Sequence, residues 1–156
     1  MDCGSNLGYL LSKAARMTKW DLNNTLADEG ITFPQWRLLK DIDTNEQKCK
    51  DEEERLKLLT PAAIAERLNA DRPTVSCMIE RLVKQDYVYR ISHPKDRRSQ
   101  IILLTDKAKG LMPKLELLSE ETLDKAVEGL QENEIVLLKK FLNHIIDNLQ
   151  HNITQI

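Results

Sequence analysis

Apolar positions along the chain recur at spacings that change from helical to strand-like and back. Leu7, Leu10, Leu11, Ala14, Ala15, Met17, Leu22 and Leu26 keep a roughly helical interval and Gly30 supplies a stop, so the pattern predicts a first long helix. Thr32-Phe33-Pro34-Gln35 then has the Thr-x-x-Gln form of a capping box, with proline in the first turn where its missing N–H costs nothing. Trp36, Leu39 and Ile42 give this second helix a buried face. From Asp43 to Leu59 the chain reads DTNEQKCKDEEERLKLL, polar and densely charged until its end. Periodicity leaves this segment either a solvated loop or a helical extension.

Thr60-Pro61 repeats the cap-then-proline start, and Ile64, Ala65 and Leu68 form a short stripe that Asn69-Ala70-Asp71 breaks. Asp71 caps the next predicted helix. There Val75, Met78, Ile79 and Leu82 fall on one side, while Pro73, Cys77, Glu80 and Lys84 face away, flanked by Ser76 and Arg81. Two short helices joined by a three-residue turn make a helix-turn-helix. Tyr87 to Ser92 and Ile101 to Leu104 are rich in strand formers, and the loop between them holds Pro94, which cannot join a ladder; this predicts a hairpin. Thr105-Asp106 starts a further helix, and Ile135, Leu138, Phe141, Leu142, Ile145, Ile146, Leu149 and Ile153 mark a long final one.

The expected fold is therefore mainly α with a small β-hairpin wing: a winged helix-turn-helix over residues 32–105, with helical regions over 1–31 and 106–156. The apolar stripe of the last helix runs almost to the end of the chain, which favours burial against a second copy, so a homodimer is expected.

Composition refines this picture. At 156 residues, with 41% apolar and 31% charged residues, the chain suits one helical globular unit that needs no disulfides. No run of 18 apolar residues and no signal-peptide pattern is present, so no membrane role and a cytoplasmic location are expected. Cys3, Cys49 and Cys77 match no zinc or disulfide spacing and read as reduced thiols. The net charge of −2 hides an asymmetry: residues 60–110 hold ten Lys and Arg against six Asp and Glu, and the remainder is acidic. A local basic patch on an otherwise acidic body attracts a polyanion while the body stays soluble.

A helix-turn-helix followed directly by a hairpin explains where those cations lie. The second helix is narrow enough for the major groove of B-DNA, with its N-terminal residues nearest the bases. These are Arg72, Pro73, Thr74, Ser76 and Cys77, with Arg81 further along. The hairpin tip carries Lys95, Asp96, Arg97 and Arg98 and would reach the adjoining minor groove, where concentrated negative potential favours an inserted Arg. Asp96 is the expected partner to orient the Arg98 guanidinium by a bidentate contact.

The run HPKDRRSQIILLT resembles the wing signature of the MarR family of bacterial transcriptional regulators, an Asp-x-Arg motif leading into a strand that ends in Leu-Thr. LTPAAIAERLNADRPTVSCMIERLVKQDYVYR is similar to that family's helix-turn-helix and first wing strand, and GITFPQWRLLKDI to its preceding helix. The resemblance implies a homodimer whose first and last helices interdigitate and hold two winged helices over a pseudo-palindromic site. It also implies a repressor released by a small molecule, a metal or an oxidant. Carried over by position, Asp96 and Arg98 are the wing pair, and Arg72, Thr74 and Ser76 lie on the recognition helix. Two departures stand out. The link from Ile42 to Thr60 is longer than the family's by about eight residues, and Gly110 and Pro113 fall inside its long fifth helix, where a kink or break is expected.

Other chemistry is weaker. The position aligned with the thiol of oxidant-sensing relatives is Gly8, which weakens an oxidant-sensing reading, and although Lys48 and Lys50 flank Cys49 in a way that could favour thiolate, an unreactive loop thiol is the expectation. His144 and His151 read as a polar helix face, so no metal and no cofactor are expected. Trp20, Phe33 and Trp36 are candidates for the pocket of a small-molecule effector. No nucleophile–base spacing, phosphate-cradling loop or metal cluster points to an enzyme. The competing reading is a winged helix that binds protein, for which affinity would not respond to salt.

Overall fold

The computed structural model describes residues 3–154, and the side chains of residues 3–5 and 153–154 lie outside the description, so Cys3 and Ile153 are not placed. Contacts divide the chain into two compact units, one up to Glu120 and one from Glu121. The division falls inside a helix.

In the first unit, α1 (Cys3–Ala27) is followed by α2 (Phe33–Lys48), and Gly30 makes the turn between them at φ +71, a left-handed conformation that glycine adopts without strain. The capping box forms as the sequence predicts: Gln35 N–H donates to Thr32 Oγ1, and Thr32 N–H donates to Gln35 Oε1 at 3.1 Å. A third bond, from Phe33 N–H to Asn23 Oδ1 at 2.6 Å, ties the start of α2 to α1. The charged segment resolves as helix. It prolongs α2 to Lys48 and adds α3 (Glu52–Leu58), capped by Asp51 and with Glu52, Glu53 and Glu54 in the first turn, where the helix dipole favours anions.

The helix-turn-helix is α4 (Pro61–Arg67), capped by Thr60, and α5 (Arg72–Lys84), capped by Asp71. The hairpin β1 (Val88–Ser92) and β2 (Gln100–Leu104) is antiparallel with Ile91 opposite Ile101. Ile101 to Leu104 are all buried, which is why β2 reads as an unbroken apolar run. On its other edge Ile102 N–H donates to Leu59 C=O at 2.9 Å, which ties the residue after α3 to the two-stranded sheet. Around β2 pack Leu38, Leu39 and Ile42 of α2, Ile64 of α4, and Val75, Ile79 and Leu82 of α5. Among the described side chains of α1 only Leu22 and Leu26 are buried, while Leu7, Leu10, Met17, Ala14 and Ala15 are exposed.

Next comes α6 (Asp106–Ala126), which runs unbroken through Gly110 and Pro113, so the expected break does not occur. Pro113 is exposed, and the buried Ala108, Met112 and Leu115 on the opposite side hold the helix to the core. Tertiary burial outweighs the lost backbone bond here.

In the second unit α7 (Glu132–Thr154) follows a turn in which Gly129 sits at φ +91. Ile135 and Ile145 are half-buried, and Val136, Leu137, Leu138, Phe141, Leu142, Ile146 and Leu149 are exposed.

Candidate nucleic-acid interface

The turn between α4 and α5 rests on Asn69, held at φ +49, a left-handed conformation that asparagine tolerates. Asp71 then starts α5: its carboxylate accepts from the Thr74 N–H at 2.8 Å and from the Thr74 hydroxyl at 2.7 Å. Those bonds, the hydroxyl first, hold the Asp71 carboxyl below the usual carboxylate range. Val75, Ile79 and Leu82 anchor the inner face of the helix. The outer face presents Arg72, Pro73, Thr74, Ser76, Cys77 and Arg81, all exposed. Because the Thr74 hydroxyl donates to Asp71, it has no O–H left to offer a phosphate, and the donor hydroxyl on this face is Ser76.

At the hairpin, His93 N–H donates to Ser99 C=O and Ser99 N–H donates to Asp96 C=O, each at 3.0 Å, closing the tip. Asp96 Oδ1 accepts from the Arg98 backbone N–H at 3.0 Å. This corrects the expected bidentate contact: two residues apart, a carboxylate reaches the backbone and makes an Asx-type turn rather than gripping the guanidinium. Lys95 and Arg97 project from the tip, exposed. The hairpin base and α5 meet in one cleft of about 340 Å³, lined by Arg72 and Ser76 from the helix, Asp96 and Arg98 from the wing, and Pro61 at the start of α4. Two guanidinium groups thus share a groove whose one carboxylate is already engaged in the turn.

The scaffold beneath is cross-tied. Arg67 on α4 makes a bidentate pair with Asp41 on α2 at 2.9 and 2.7 Å, and also donates to Leu58 C=O at 2.6 Å. Glu46 on α2 accepts from Leu104 N–H at 3.2 Å and pairs with Lys109 on α6 at 2.9 Å. The hydrogen bond from Glu46 is the main cause that raises Lys109 above its ordinary value. At the exit of α5, Asp86 at φ +60 turns the chain into β1, and the Thr105 hydroxyl donates to Asp86 C=O at 2.7 Å.

Residues 29–99 match the family model described as MarR family. The matched stretch runs from the turn before α2 to the end of the hairpin tip, so it includes the outer face of α5 and every tip cation. Over this segment the chain is similar to the MarR family. Solved structures share the fold over nearly the whole chain. The MarR transcriptional regulator from Methanosarcina mazei Go1 superposes with a TM-score of 0.79 at 21% identity, covering 94% of this chain and 98% of that one. MepR from S. aureus, in a structure titled as a DNA complex, gives 0.77 at 24% identity, with 90% and 96% covered. CouR from Rhodococcus jostii RHA1, bound to p-coumaroyl-CoA, gives 0.73 at 18% identity, with 89% and 90% covered.

Other predicted sites fare differently. Trp36 is buried and borders a cleft between α2 and α4 that takes in neither Phe33 nor Trp20. Phe33 is half-buried with Arg37 over its ring at 6.0 Å, and Trp20 is 67% exposed. The structure does not bring these three aromatics into that cleft together. Cys77 is exposed on α5. Cys49 is half-buried, and burial, then Glu54, push its thiol up, in keeping with the unreactive thiol expected there. His144 and His151 are exposed, and among the described residues no group of three His, Cys, Asp or Glu is placed to hold a metal. No helix of the described residues is long and apolar enough to cross a membrane. His93 lies outside the sequence-predicted set, and its one signal is a histidine placed before proline at the start of a tight turn.

Proposed function

We propose that this chain is a sequence-specific DNA-binding transcriptional repressor that acts in the cytoplasm as a homodimer on a pseudo-palindromic operator and is released by a small-molecule effector. The observation that carries the reading is the cleft in which Arg72 and Ser76 of α5 adjoin Arg98 of the wing. A helix in the major groove and a hairpin over the neighbouring minor groove need their cations on one continuous surface, and this cleft supplies it. In this reading Arg72 and Ser76 contact bases or phosphates, Arg98 enters the minor groove, and Lys95 and Arg97 neutralise phosphates. Asp96 contributes by shaping the turn. The MepR–DNA complex, alike in fold, supports the mode of binding, and CouR with its bound thioester supports an effector.

The homodimer is supported by the apolar side chains that α1 and α7 leave in solvent, among them Leu10, Met17, Trp20, Phe141, Ile146 and Leu149. On each helix, several large apolar side chains left in solvent mark an interface. Effector contact through Trp20, Phe33 and Trp36 belongs to the same proposal and requires the assembled dimer.

The test is a fluorescence-anisotropy titration of duplexes selected from a random pool, carried out over a salt series. The wild type should bind with log K falling linearly against log salt, by about 0.9 per phosphate neutralised. Arg98→Ala should weaken binding by about 1 to 3 kcal/mol with an unchanged far-ultraviolet spectrum. A salt-independent affinity would favour a protein partner instead.

A further inference from the structure

Within the hairpin tip, the backbone amides of Lys95 and Asp96 both donate to one atom, Nδ1 of His93, at 3.0 Å each. Pro94, between them and the histidine, has no N–H and a fixed φ, so these are the first two amides of the turn and neither has a strand partner. With His93 N–H on Ser99 C=O, Ser99 N–H on Asp96 C=O and Arg98 N–H on Asp96 Oδ1, the amides of the charged turn are gathered by two side chains, His93 and Asp96. Asp96 belongs to the recognised wing pair. His93 does not.

We propose that His93 is the positioning residue of the wing: a neutral imidazole with its proton on Nε2 folds the tip by accepting two amides at Nδ1, and so sets the direction in which Lys95, Arg97 and Arg98 leave the hairpin. Only an imidazole with a lone pair on Nδ1 accepts a hydrogen bond there, so the two amides fix the tautomer. Nδ1 stands where the side-chain oxygen of an asparagine at the same position would stand, and the geometry is that of an Asx turn made by a ring nitrogen. Without the acceptor, both amides return to water and the tip samples many conformations, of which few aim Arg98 at the groove. The consequence for binding rests on the DNA reading above, whereas the fold of the tip does not.

The test separates the acceptor from the ring, using the full-length chain and a short random-sequence duplex at low ionic strength. His93→Asn keeps an acceptor at the Nδ1 position and should bind within about twofold of wild type. His93→Gln moves the acceptor to where Nε2 stands, and His93→Ala removes it; both should bind about tenfold more weakly, the effect of two hydrogen bonds. In parallel, nitrogen-15 spectra of the imidazole should show the proton on Nε2, with the Lys95 and Asp96 amides protected from exchange in wild type and His93→Asn but not in His93→Ala. Equal affinity of wild type and His93→Ala, failure of His93→Asn to rescue, or a proton on Nδ1 overturns the proposal. If no variant and no wild type binds the duplex, the DNA reading fails while the spectra still decide whether His93 folds the tip.

Discussion

Asp96 illustrates how a residue can be placed at a site correctly and yet act through a different bond. Its carboxylate holds the Arg98 backbone, which leaves the guanidinium on the wall of the cleft toward α5. Substitutions therefore separate the two roles. Asp96→Asn keeps Oδ1 as acceptor and should retain duplex affinity within about twofold, whereas Asp96→Ala should lose about 1 kcal/mol, read by anisotropy. If charge on Asp96 oriented the guanidinium, Asn would be as damaging as Ala. Asp71 gives a pH signature at the same scale. Its carboxyl is held below the usual range by Thr74, so its support for the start of α5 is present above the ordinary carboxylate value and fades as pH falls through the lowered one. The protection of the Thr74 amide relative to its intrinsic exchange rate should fall on acidification in the wild type, and in Asp71→Ala it should be low throughout.

Among the elements, those legible in the sequence are the ones whose signals are local. Thr32 with Gln35, Thr60 before Pro61, and Asp71 before Pro73 all cap the helices they announce, because a cap is decided by three or four consecutive residues. The segment from Asp43 to Leu59 was not legible, since α3 has no buried residue of its own and is held by Asp51, by Leu59 on the edge of β2, and by Leu58 C=O on Arg67. Asp51 is a local cap, but the bonds from Arg67 and from β2 come from outside the segment and leave no trace in its periodicity. Arg67→Ala should destabilise the fold by about 2 kcal/mol in urea unfolding, below the figure for a fully buried pair because Arg67 is partly exposed, and Lys should not rescue it because it lacks the planar fork. The persistence of α6 through Pro113 was likewise hidden: burial of Met112 and Leu115 is a tertiary fact. Pro113→Ala should raise stability by about 1 to 3 kcal/mol, and a loss of stability would show that the helix depends on the proline. Lys109 provides the alkaline counterpart. Raised above 10.5 by Glu46, it contributes fully at lower pH and that contribution disappears as pH rises through the raised value. Glu46→Gln should flatten this alkaline loss in unfolding curves.

For the whole molecule, the sequence was most informative where one face is buried and the other charged, as on α5, and least where an apolar face stays in solvent. Leu7, Leu10 and Met17 of α1 and Leu138, Phe141 and Leu142 of α7 have the spacing of core residues, yet in the single chain they are exposed. The proposed homodimer would account for both facts, and in that reading Phe141→Glu should convert the particle to a monomer in sedimentation while the winged helix keeps its fold. A monomer should bind a half-site weakly and lose cooperative binding to the full operator. The central claim is that α5 and the hairpin grip one duplex together, with guanidinium groups at both grooves. Hydroxyl-radical and dimethyl-sulfate footprinting on a selected operator tests it most directly. The account predicts two half-sites about one helical turn apart, each with protected guanines in the major groove and a protected minor-groove stretch beside it that disappears in Arg98→Ala. Major-groove protection with an unaltered minor groove in both proteins, or no protection at low salt, would contradict it.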